Sequence, residues 1–441
     1  MKKLILMAMV GTMVFASGCG ADAKNDETGD VRFLNYKAEA DEAWKELAVK
    51  YEEETGVKVT VITAPGAGQY ETTLKSELAK EEAPTLFQIN GPMGYLAWKD
   101  YCADLTETGF YDKLSDKTLA ITGEDEGVYG VPYAIEGYGI VYNKAVLDKY
   151  FETTTLDIKS VDEIDSFDDL KAVTEDMQAN KDALGIEGVF ASTSLLPGED
   201  WRWNTHLANI PIYHEYTDKN VSSLDEIEFT YNESFKNIFD LYANNSVVDK
   251  KMLGSKTVMD SVTEFALGKA AMIQNGQWVW QQISETEGTV LTEDTVGFLP
   301  IYTGAAEDEA DMGLCVGTEN YFSVNAKASE VDQKATIEFL DWLVSSDLGK
   351  DYMVNNLGIA APFNTFSDEE KPQDPLAKSV LEFAENGKVS VPWVFATFPS
   401  QDFKNVFGNA LLEYVQESIE WDEVVQETVD AWASEMSKIK K

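Results

Sequence analysis

The sequence predicts an α/β fold built from more than one lobe. Its first ninety residues alternate between strand-like and helix-like segments, the pattern of a parallel sheet covered by helices. The chain has 441 residues, too many for one small hydrophobic core, so two or more lobes are expected. With 44% hydrophobic and 26% charged residues, the composition is ordinary for a folded soluble protein.

The first elements carry this prediction. Apolar residues recur at helical spacing between 44 and 51, and Gly56 is expected to end that helix. The predicted order is strand 31–36, helix 44–51, strand 57–62, helix 70–80 and strand 85–90. In parallel sheets, ligands bind at the carboxyl ends of the strands. The sequence therefore places Tyr36, Lys37, Asn90 and Gly91 where a ligand could touch them.

The rest of the chain continues the mixed pattern. Helices are predicted at 235–243, 258–266, 333–344, 347–355 and 421–436, and mostly helical structure over 145–190. Strands are predicted within 127–147 and at 188–193, 270–275, 296–301 and 321–326.

The N-terminus reads as an export signal. Two lysines precede the apolar run LILMAMVGTMVFA, and small residues then lead to Cys19. The pattern resembles a bacterial lipobox, which implies that residues 1–18 are removed and that Cys19 carries lipid. An ordinary signal peptide with an incidental cysteine is the alternative. Residues 19–30 are interpreted as the lipidated cysteine and a flexible tether. The expected location is the outer face of the cell membrane, in a Gram-positive-like cell.

The charge excludes some partners. The chain has 78 acidic and 35 basic residues, a net charge of −43 that becomes −45 without residues 1–18. Such a surface repels phosphate backbones, so nucleic acid is not an expected partner. Cys102 and Cys315 could pair in an exported protein or could each be a small buried residue, and the sequence leaves both possibilities open.

Five stretches in this order resemble the family 1 extracellular solute-binding proteins, the maltose-binding-protein-like group. They are ETGVKVTV, GVYGVPYAIEGYGIVYNKAVL, FALGKAAMIQNGQWVW, VGFLPI and the segment from FSVNAKAS to NNLGIAAPF. The resemblance implies a type II periplasmic-binding-protein-like fold, with two discontinuous α/β lobes joined by a hinge and a solute held between them.

The resemblance also implies lobe boundaries and partners. Lobe 1 would comprise 31–135 plus 298–345, and lobe 2 would comprise 136–297 plus 346–441, with crossings near 133–139, 296–299 and 343–348. The implied function is a monomeric oligosaccharide receptor that serves the membrane permease of an ABC importer, without a cofactor or a metal.

The stretch MIQNGQWVW is the first candidate for ligand contact. Sugars stack their C–H faces on aromatic rings and hydrogen-bond to polar groups, so tryptophans beside polar loop residues are the expected signature. The family resemblance implies that Trp278 lies in the sugar cleft. Asn275, at the start of the same turn, is also predicted to contact the ligand. Trp280 follows two residues later and points elsewhere on a helix, so it is interpreted as packing.

Two further stretches contain candidates for ligand contact. In EDWRWN, a dense polar and aromatic loop, Trp201, Arg202 and Trp203 are ligand candidates, while His206 is interpreted as structural. In PWVFATF, the resemblance implies that Trp393 and Phe395 contact the ligand. It also implies that Tyr36, Asn90 and Glu136 lie near the ligand, although Glu136 could instead serve the hinge.

Rival functions remain open at this point. A lipid-anchored glycan hydrolase or a surface glycan-binding lipoprotein not coupled to transport is the alternative. Paired carboxylates can hydrolyse glycosides, but among 78 acidic residues such pairs arise by chance. The sequence has two histidines and no Walker, HExxH, GxSxG or CxxC motif. A binding protein rather than an enzyme is therefore predicted.

Overall fold

The computed structural model of the protein describes residues 28–65, 69–306, 309–367 and 369–439. The predicted signal segment 1–18, Cys19 and most of the predicted tether lie outside these residues. Within the described part of the chain, no helix combines the length and apolarity needed to cross a bilayer.

Strands and helices alternate along the described chain. The strands are β1 Val31–Asn35, β2 Val59–Thr63, β3 Leu86–Asn90, β4 Ile121–Thr122, β5 Val128–Pro132, β6 Glu136–Asn143, β7 Gly188–Phe190, β8 Ala270–Gly276, β9 Val296–Leu299, β10 Met312–Gly317, β11 Asn320–Val324 and β12 Val389–Pro392. The helices are α1 Asp41–Thr55, α2 Tyr70–Leu78, α3 Gly91–Trp98, α4 Gly109–Asp112, α5 Lys144–Phe151, α6 Phe167–Ala179, α7 Lys181–Leu184, α8 Asn209–Lys219, α9 Asn232–Asn244, α10 Val258–Ala266, α11 Val279–Glu285, α12 Glu330–Ser345, α13 Asp347–Asp351, α14 Pro375–Glu385, α15 Gln401–Val415 and α16 Trp421–Ile439.

The first sheet has the strand order β2-β1-β3-β11-β5-β4 and forms the centre of the first lobe. Strand β1 pairs in parallel with β2 and β3, as the β-α-β-α-β pattern predicts. Strand β11 then pairs antiparallel with β3 and β5, so the sheet is mixed. Helices α1 and α12 pack through apolar side chains against one face of this sheet, and α2 packs against the other face.

The second sheet has the order β12-β10-β6-β8-β7, with β9 also paired to β6, and forms the second lobe. One face packs against α5 to α9, α15 and α16, and the other against α10, α11 and α14. Each lobe is thus a sheet between two helical layers, which places the apolar side chains of both sheet faces in a core.

Two predicted lobe boundaries are wrong. Strand β9 pairs antiparallel with β6 over Asn143↔Val296 to Ile140↔Leu299, so it belongs to the second lobe. The chain returns to the first sheet only after β10, through Thr318 and Glu319. Strand β10 is not among the strands predicted from the sequence. For this reason the predicted return of the chain to the first lobe, at 298, comes too early.

The third crossing is also later than predicted. The core of the first lobe includes Tyr352, Met353, Ile359 and Phe363, and Phe366 packs against it. Helix α14 is the next element, and its buried residues pack in the second lobe. The second lobe therefore resumes beyond Phe366 rather than at 346. The first crossing lies between Pro132 and Glu136, within the predicted 133–139.

Two smaller features complete the fold. Cys102 and Cys315 are both free and buried, one in each lobe, so they act as small apolar residues. The end of the predicted tether is packed rather than free, because the Asp30 backbone N–H donates to Asp332 Oδ1 over 2.8 Å.

Candidate functional site

A cleft of about 490 Å³ lies between the two lobes, where the ends of strands from both sheets converge. Its volume falls within the roughly 300–1,000 Å³ that small-molecule sites occupy. Before Glu136, the chain contributes Tyr36, Lys37, Ala38, Glu39, Pro65 and Gln69. The second lobe and the crossings contribute Glu136, Gly198, Glu199, Asp200, Trp201, Arg202, Asn204, Thr205, His206, Thr257, Val258, Met259, Trp278, Gln282, Glu319, Asn320, Trp393, Gln401 and Lys404.

An ion pair between Lys37 and Glu136 joins the two lobes at one side of the cleft. Lys37 follows the carboxyl end of β1, and its N–H donates to Asn35 Oδ1 over 3.1 Å. Glu136 is the first residue of β6, directly after the first crossing. Burial opposes the charge on Lys37, but the adjacent carboxylate outweighs it, so the pKa of Lys37 is raised. The lysine is therefore a neutralised cation rather than a free one.

Trp278 is held rigidly between β8 and α11. Gln277 hydrogen-bonds to Gly137 of β6 in both directions, through its backbone N–H at 3.0 Å and its side-chain oxygen at 3.1 Å. The indole folds back over Gly276, where an added Cβ would lie 2.1 Å from the ring. A glycine is therefore required before this tryptophan. The ring lies edge-to-face with Trp393 at 6.3 Å, and the Lys37 ammonium lies 5.6 Å from its centre.

A stretch of π-helix, Arg202–Leu207, sorts the EDWRWN residues between cleft and core. The Ala208 N–H donates to the Trp203 carbonyl, five residues back, over 3.1 Å. Such an extra residue in a helical turn rotates the following side chains, and π-bulges are frequent at functional sites. In this stretch, Arg202 and His206 line the cleft, whereas Trp203 is fully buried.

Arg202 is a buried cation without a carboxylate partner among the described residues. One N–H donates to Asn275 Oδ1 over 2.8 Å. The guanidinium stacks 4.8 Å from the Trp201 ring centre and lies 5.7 Å from that of Trp278. Burial lowers the pKa of Arg202 to about 10, so it remains charged at neutral pH. Its Nε and Nη1 groups have no partner in the described part of the chain.

Unpartnered polar atoms concentrate on the residues that line this cleft. Ten buried side-chain nitrogen and oxygen atoms lack a hydrogen-bond partner among the described residues, and seven of them belong to residues that line it. The donors are on Arg202 and Trp393, the acceptors are on Asn204, Gln282 and Asn320, and the seventh atom is His206 Nδ1. Buried polar groups are normally hydrogen-bonded, so this concentration indicates a ligand with both donor and acceptor groups.

Two titratable groups have strongly shifted pKa values at the inner wall. Burial, reinforced by the Arg202 and Lys404 cations, holds the pKa of His206 well below its usual value. The imidazole is therefore neutral and stacks 4.5 Å from the Tyr138 ring. Burial raises the pKa of Asp200 to about 6. Asp200 thus changes charge just below neutral pH.

The Asp200 shift predicts a pH-dependent stability. Because its folded-state pKa exceeds the unfolded value of 3.8, folding favours protonation, and stability falls as pH rises from about 4 to about 6. Asp200→Asn removes this titration. We expect the free energy of unfolding of the variant, relative to the wild type, to rise by up to about 3 kcal/mol between pH 4 and pH 7. Urea unfolding over this pH range measures the difference.

The matched control is Asp402→Asn, because Asp402 is an exposed carboxylate near the start of α15. Its difference from the wild type measures the effect of removing an exposed carboxylate alone. A difference for Asp200→Asn that does not exceed that of the control would contradict a raised pKa at Asp200.

Comparison with known proteins identifies the family of the chain. Residues 46–379 match the family model of the bacterial extracellular solute-binding proteins, and this range is well over half of the chain. The chain belongs to this family. No curated protein matches the chain in sequence.

The fold of this solute-binding protein is similar to several solved structures. One is a chitin oligosaccharide binding protein, with a TM-score of 0.71 and 14% identity over 93% of this chain and 100% of that one. Another is RafE in complex with raffinose, with a TM-score of 0.66 and 17% identity over 94% and 100%. A third is a family 1 extracellular solute-binding protein from Bifidobacterium longum subsp. infantis, with a TM-score of 0.60 and 16% identity over 92% and 99%. The expected two-lobed α/β fold class is therefore confirmed.

Seven of the residues predicted for ligand contact line the cleft of the solute-binding protein. They are Tyr36, Lys37, Glu136, Trp201, Arg202, Trp278 and Trp393. They come from separate stretches of the sequence, and the ends of β1, β8 and β12 bring three of these stretches together.

The other five predicted contacts lie outside the cleft wall. Trp203 is buried against Phe239, and Phe395 is buried behind Trp393. Asn275 supports Arg202 instead of facing the cleft. The remaining two residues, Asn90 and Gly91, hydrogen-bond to Glu319.

Gly91 has a distinct steric role in the solute-binding protein. It begins α3 with a φ of +65°, and an added Cβ would lie 2.8 Å from the Ala396 carbonyl oxygen. Ala396 belongs to the segment after β12 in the second lobe. Gly91 therefore permits close contact between the lobes beside the cleft, where a larger residue would collide.

Several cleft residues were not predicted. His206, interpreted as structural, lines the cleft, and so do Asn204, Glu319, Asn320 and Lys404. Glu319 and Asn320 lie at the second crossing, which was misplaced because β10 was missed. Lys404 projects from α15. Burial of the Glu319 carboxyl raises the pKa of Glu319, although the Lys404 cation opposes this shift, and burial lowers the pKa of Lys404. Trp280 packs in the second lobe, as interpreted, but it also lines a smaller cavity beside the cleft.

Proposed function

We propose that this solute-binding protein captures an oligosaccharide between its lobes and delivers it to the membrane subunits of an ABC importer. The observation that carries the proposal is the combination in one cleft of three tryptophans, Trp201, Trp278 and Trp393, with seven unpartnered polar atoms. Sugar rings stack on aromatic faces, and each hydroxyl both donates and accepts a hydrogen bond.

The polar groups and the tryptophans together favour a sugar. The unpartnered atoms include donors on Arg202 and Trp393 and acceptors on Asn204, Gln282 and Asn320. A ligand covered with hydroxyls satisfies both kinds, and its C–H faces can stack on the tryptophan rings. Similar structures include a chitin oligosaccharide binding protein, a raffinose complex and a maltose-bound protein, which supports the same ligand class here.

The export signal supports the location that import requires. We propose that the mature chain begins at a lipidated Cys19 and acts on the outer face of the cell membrane. An acyl-anchored receptor stays close to its permease while its lobes remain in water. Mass spectrometry of the purified membrane-associated protein tests this, and an unmodified N-terminus at another residue would contradict it.

Titration calorimetry tests the ligand class. The panel comprises two- to five-unit chito-, malto- and xylo-oligosaccharides, with amino acids, dipeptides and zinc as comparisons. We expect saturable binding of at least one saccharide series and recovery of the sugar unchanged. Tighter binding of an amino acid, a peptide or a metal would overturn the ligand class. Release of shorter sugars would instead support a hydrolase.

Trp278→Ala removes the aromatic face at the centre of the cleft. We expect the affinity for the bound saccharide to fall by more than about 1 kcal/mol, or about fivefold to tenfold, which is the scale of lost aromatic stacking. Calorimetry measures the change. Trp342→Ala is the matched control, because this half-buried tryptophan lies on α12 away from the cleft and donates to Glu54. Equal affinities for a folded Trp278→Ala variant and the control would refute the contact.

A further inference from the structure

A second cavity of about 200 Å³ lies beside the main cleft. The two cavities share the residues that separate them, Lys37, Glu39, Glu136 and Trp278. The two cavities therefore adjoin at the interlobe ion pair and the indole of Trp278. We call this second cavity the side chamber.

The two tryptophans of QWVW do not line the same cavities. Trp278 lines both the cleft and the side chamber, whereas Trp280 lines the side chamber alone. Residues two apart at the start of a helix point about 200° apart around its axis. The Trp280 N–H donates to the Gln277 carbonyl over 3.2 Å, so the same turn positions both rings.

The remaining wall of the side chamber combines aromatic and polar groups. Tyr133 contributes a ring, and Gln281, Ser284 and Asn355 contribute amide and hydroxyl groups. Asn355 is exposed, so the chamber reaches solvent at this part of its wall. The wall thus has the same mixture of ring faces and polar groups that supports sugar binding in the main cleft.

The size of the side chamber indicates an extension of a ligand rather than a separate ligand. Its 200 Å³ is below the roughly 300–1,000 Å³ typical of complete small-molecule sites. A ligand held in the main cleft meets Trp278 and Glu136 before it reaches the chamber, because those residues line both spaces.

We infer that the side chamber is a second saccharide subsite, which accepts the terminal sugar unit of a ligand whose other units occupy the main cleft. This inference rests on the proposed oligosaccharide function. Trp280 supplies the stacking face of the subsite, and the open side beyond Asn355 allows a longer chain to continue into solvent. The protein therefore prefers longer members of its ligand series over the shortest one that binds.

The test is a length series with the two- to five-unit chito-, malto- and xylo-oligosaccharides, measured by calorimetry. In the wild-type protein, affinity is expected to rise by about threefold to tenfold on addition of the unit that enters the side chamber, the scale of one aromatic contact. Trp280→Ala is expected to abolish this gain and to leave the shortest bound member at wild-type affinity. Trp280→Phe retains a ring and is expected to keep most of the gain.

A second variant tests the space without removing a packed ring. Ser284 is exposed on α11 and lines the side chamber, so Ser284→Trp is expected to fill it and to abolish the same length-dependent gain. Thermal unfolding establishes that each variant is folded.

The outcomes separate the two proposals. A wild-type protein that binds no saccharide contradicts the proposed function. Saccharide binding without a gain in affinity along the series, or with a gain that persists in both Trp280→Ala and Ser284→Trp, overturns the second subsite alone. Equal losses at every chain length would also overturn it, because they would place Trp280 in support of the main cleft.

Discussion

Replacing Trp203 with alanine is expected to lower the apparent free energy of unfolding by about 3–5 kcal/mol, the range for removal of a large buried aromatic side chain. Trp203 has no exposed surface. Its ring packs edge-to-face against Phe239 at 4.7 Å, and its indole N–H donates to the Ser194 carbonyl over 2.9 Å. The substitution therefore creates a cavity and also leaves a buried carbonyl without its donor. Urea unfolding followed by circular dichroism measures the loss.

The control for this prediction lies two residues earlier in the sequence. Trp201 is half-buried and lines the cleft, where the Arg202 guanidinium stacks on its ring. Trp201→Ala is expected to change unfolding by less than about 1 kcal/mol and to weaken ligand binding instead. If the two variants lost similar stability, the division of this stretch between core and cleft would be incorrect.

Replacing Arg202 with methionine is expected to reduce ligand affinity by about 1.5–3 kcal/mol, or about tenfold to a hundredfold, the scale of hydrogen bonds to a charged group. Two of its N–H groups are buried without partners in the described structure, and the cation lies between the rings of Trp201 and Trp278. The unfolding free energy is expected to stay constant or to rise, since the variant removes a buried charge that lacks a carboxylate partner. Calorimetry and urea unfolding measure the two effects separately.

Arg32 offers a matched control because Arg32 and Arg202 are the two arginines of the chain. Arg32 lies on β1, where it donates to the Ala83 carbonyl over 2.9 Å and to Asp332 over 3.4 Å, and it does not line the cleft. Arg32→Met is expected to preserve affinity. Arg202→Lys keeps the charge with fewer donors, and an intermediate affinity is expected for it. Wild-type affinity in folded Arg202→Met would exclude the arginine from ligand recognition.

The sequence by itself determined those helices and strands that form through interactions between residues close together in the chain. Helix α1 follows the predicted spacing of Trp44, Leu47, Ala48 and Tyr51, all buried, and it ends at Gly56 with a φ of 76°. Helix α10 has the predicted bounds because Thr257 and Asp260 form a capping box at its start. These outcomes depend on side-chain periodicity and capping groups within a few residues, so they are visible in the sequence alone.

The order of motifs also determined the fold class and the region of the site. Lys37, Glu136, Trp278 and Trp393 follow strands or begin them, and strand ends are where open sheets present ligands. The sequence could therefore identify these stretches as candidates before their relative positions were known.

Only the tertiary structure decided which sheet a strand joins and which side of a turn a residue faces. Strand β9 has an apolar sequence that suits either lobe, and its pairing with β6 assigns it to the second. Spacing alone could not show which face of the stretch Arg202–Leu207 meets the cleft, so it could not separate cleft-facing Arg202 from buried Trp203. Trp280 lines a chamber that exists only where α11 meets the interlobe ion pair and the residues after α13. These features depend on contacts between residues far apart in the chain, and local periodicity carries no information about such contacts.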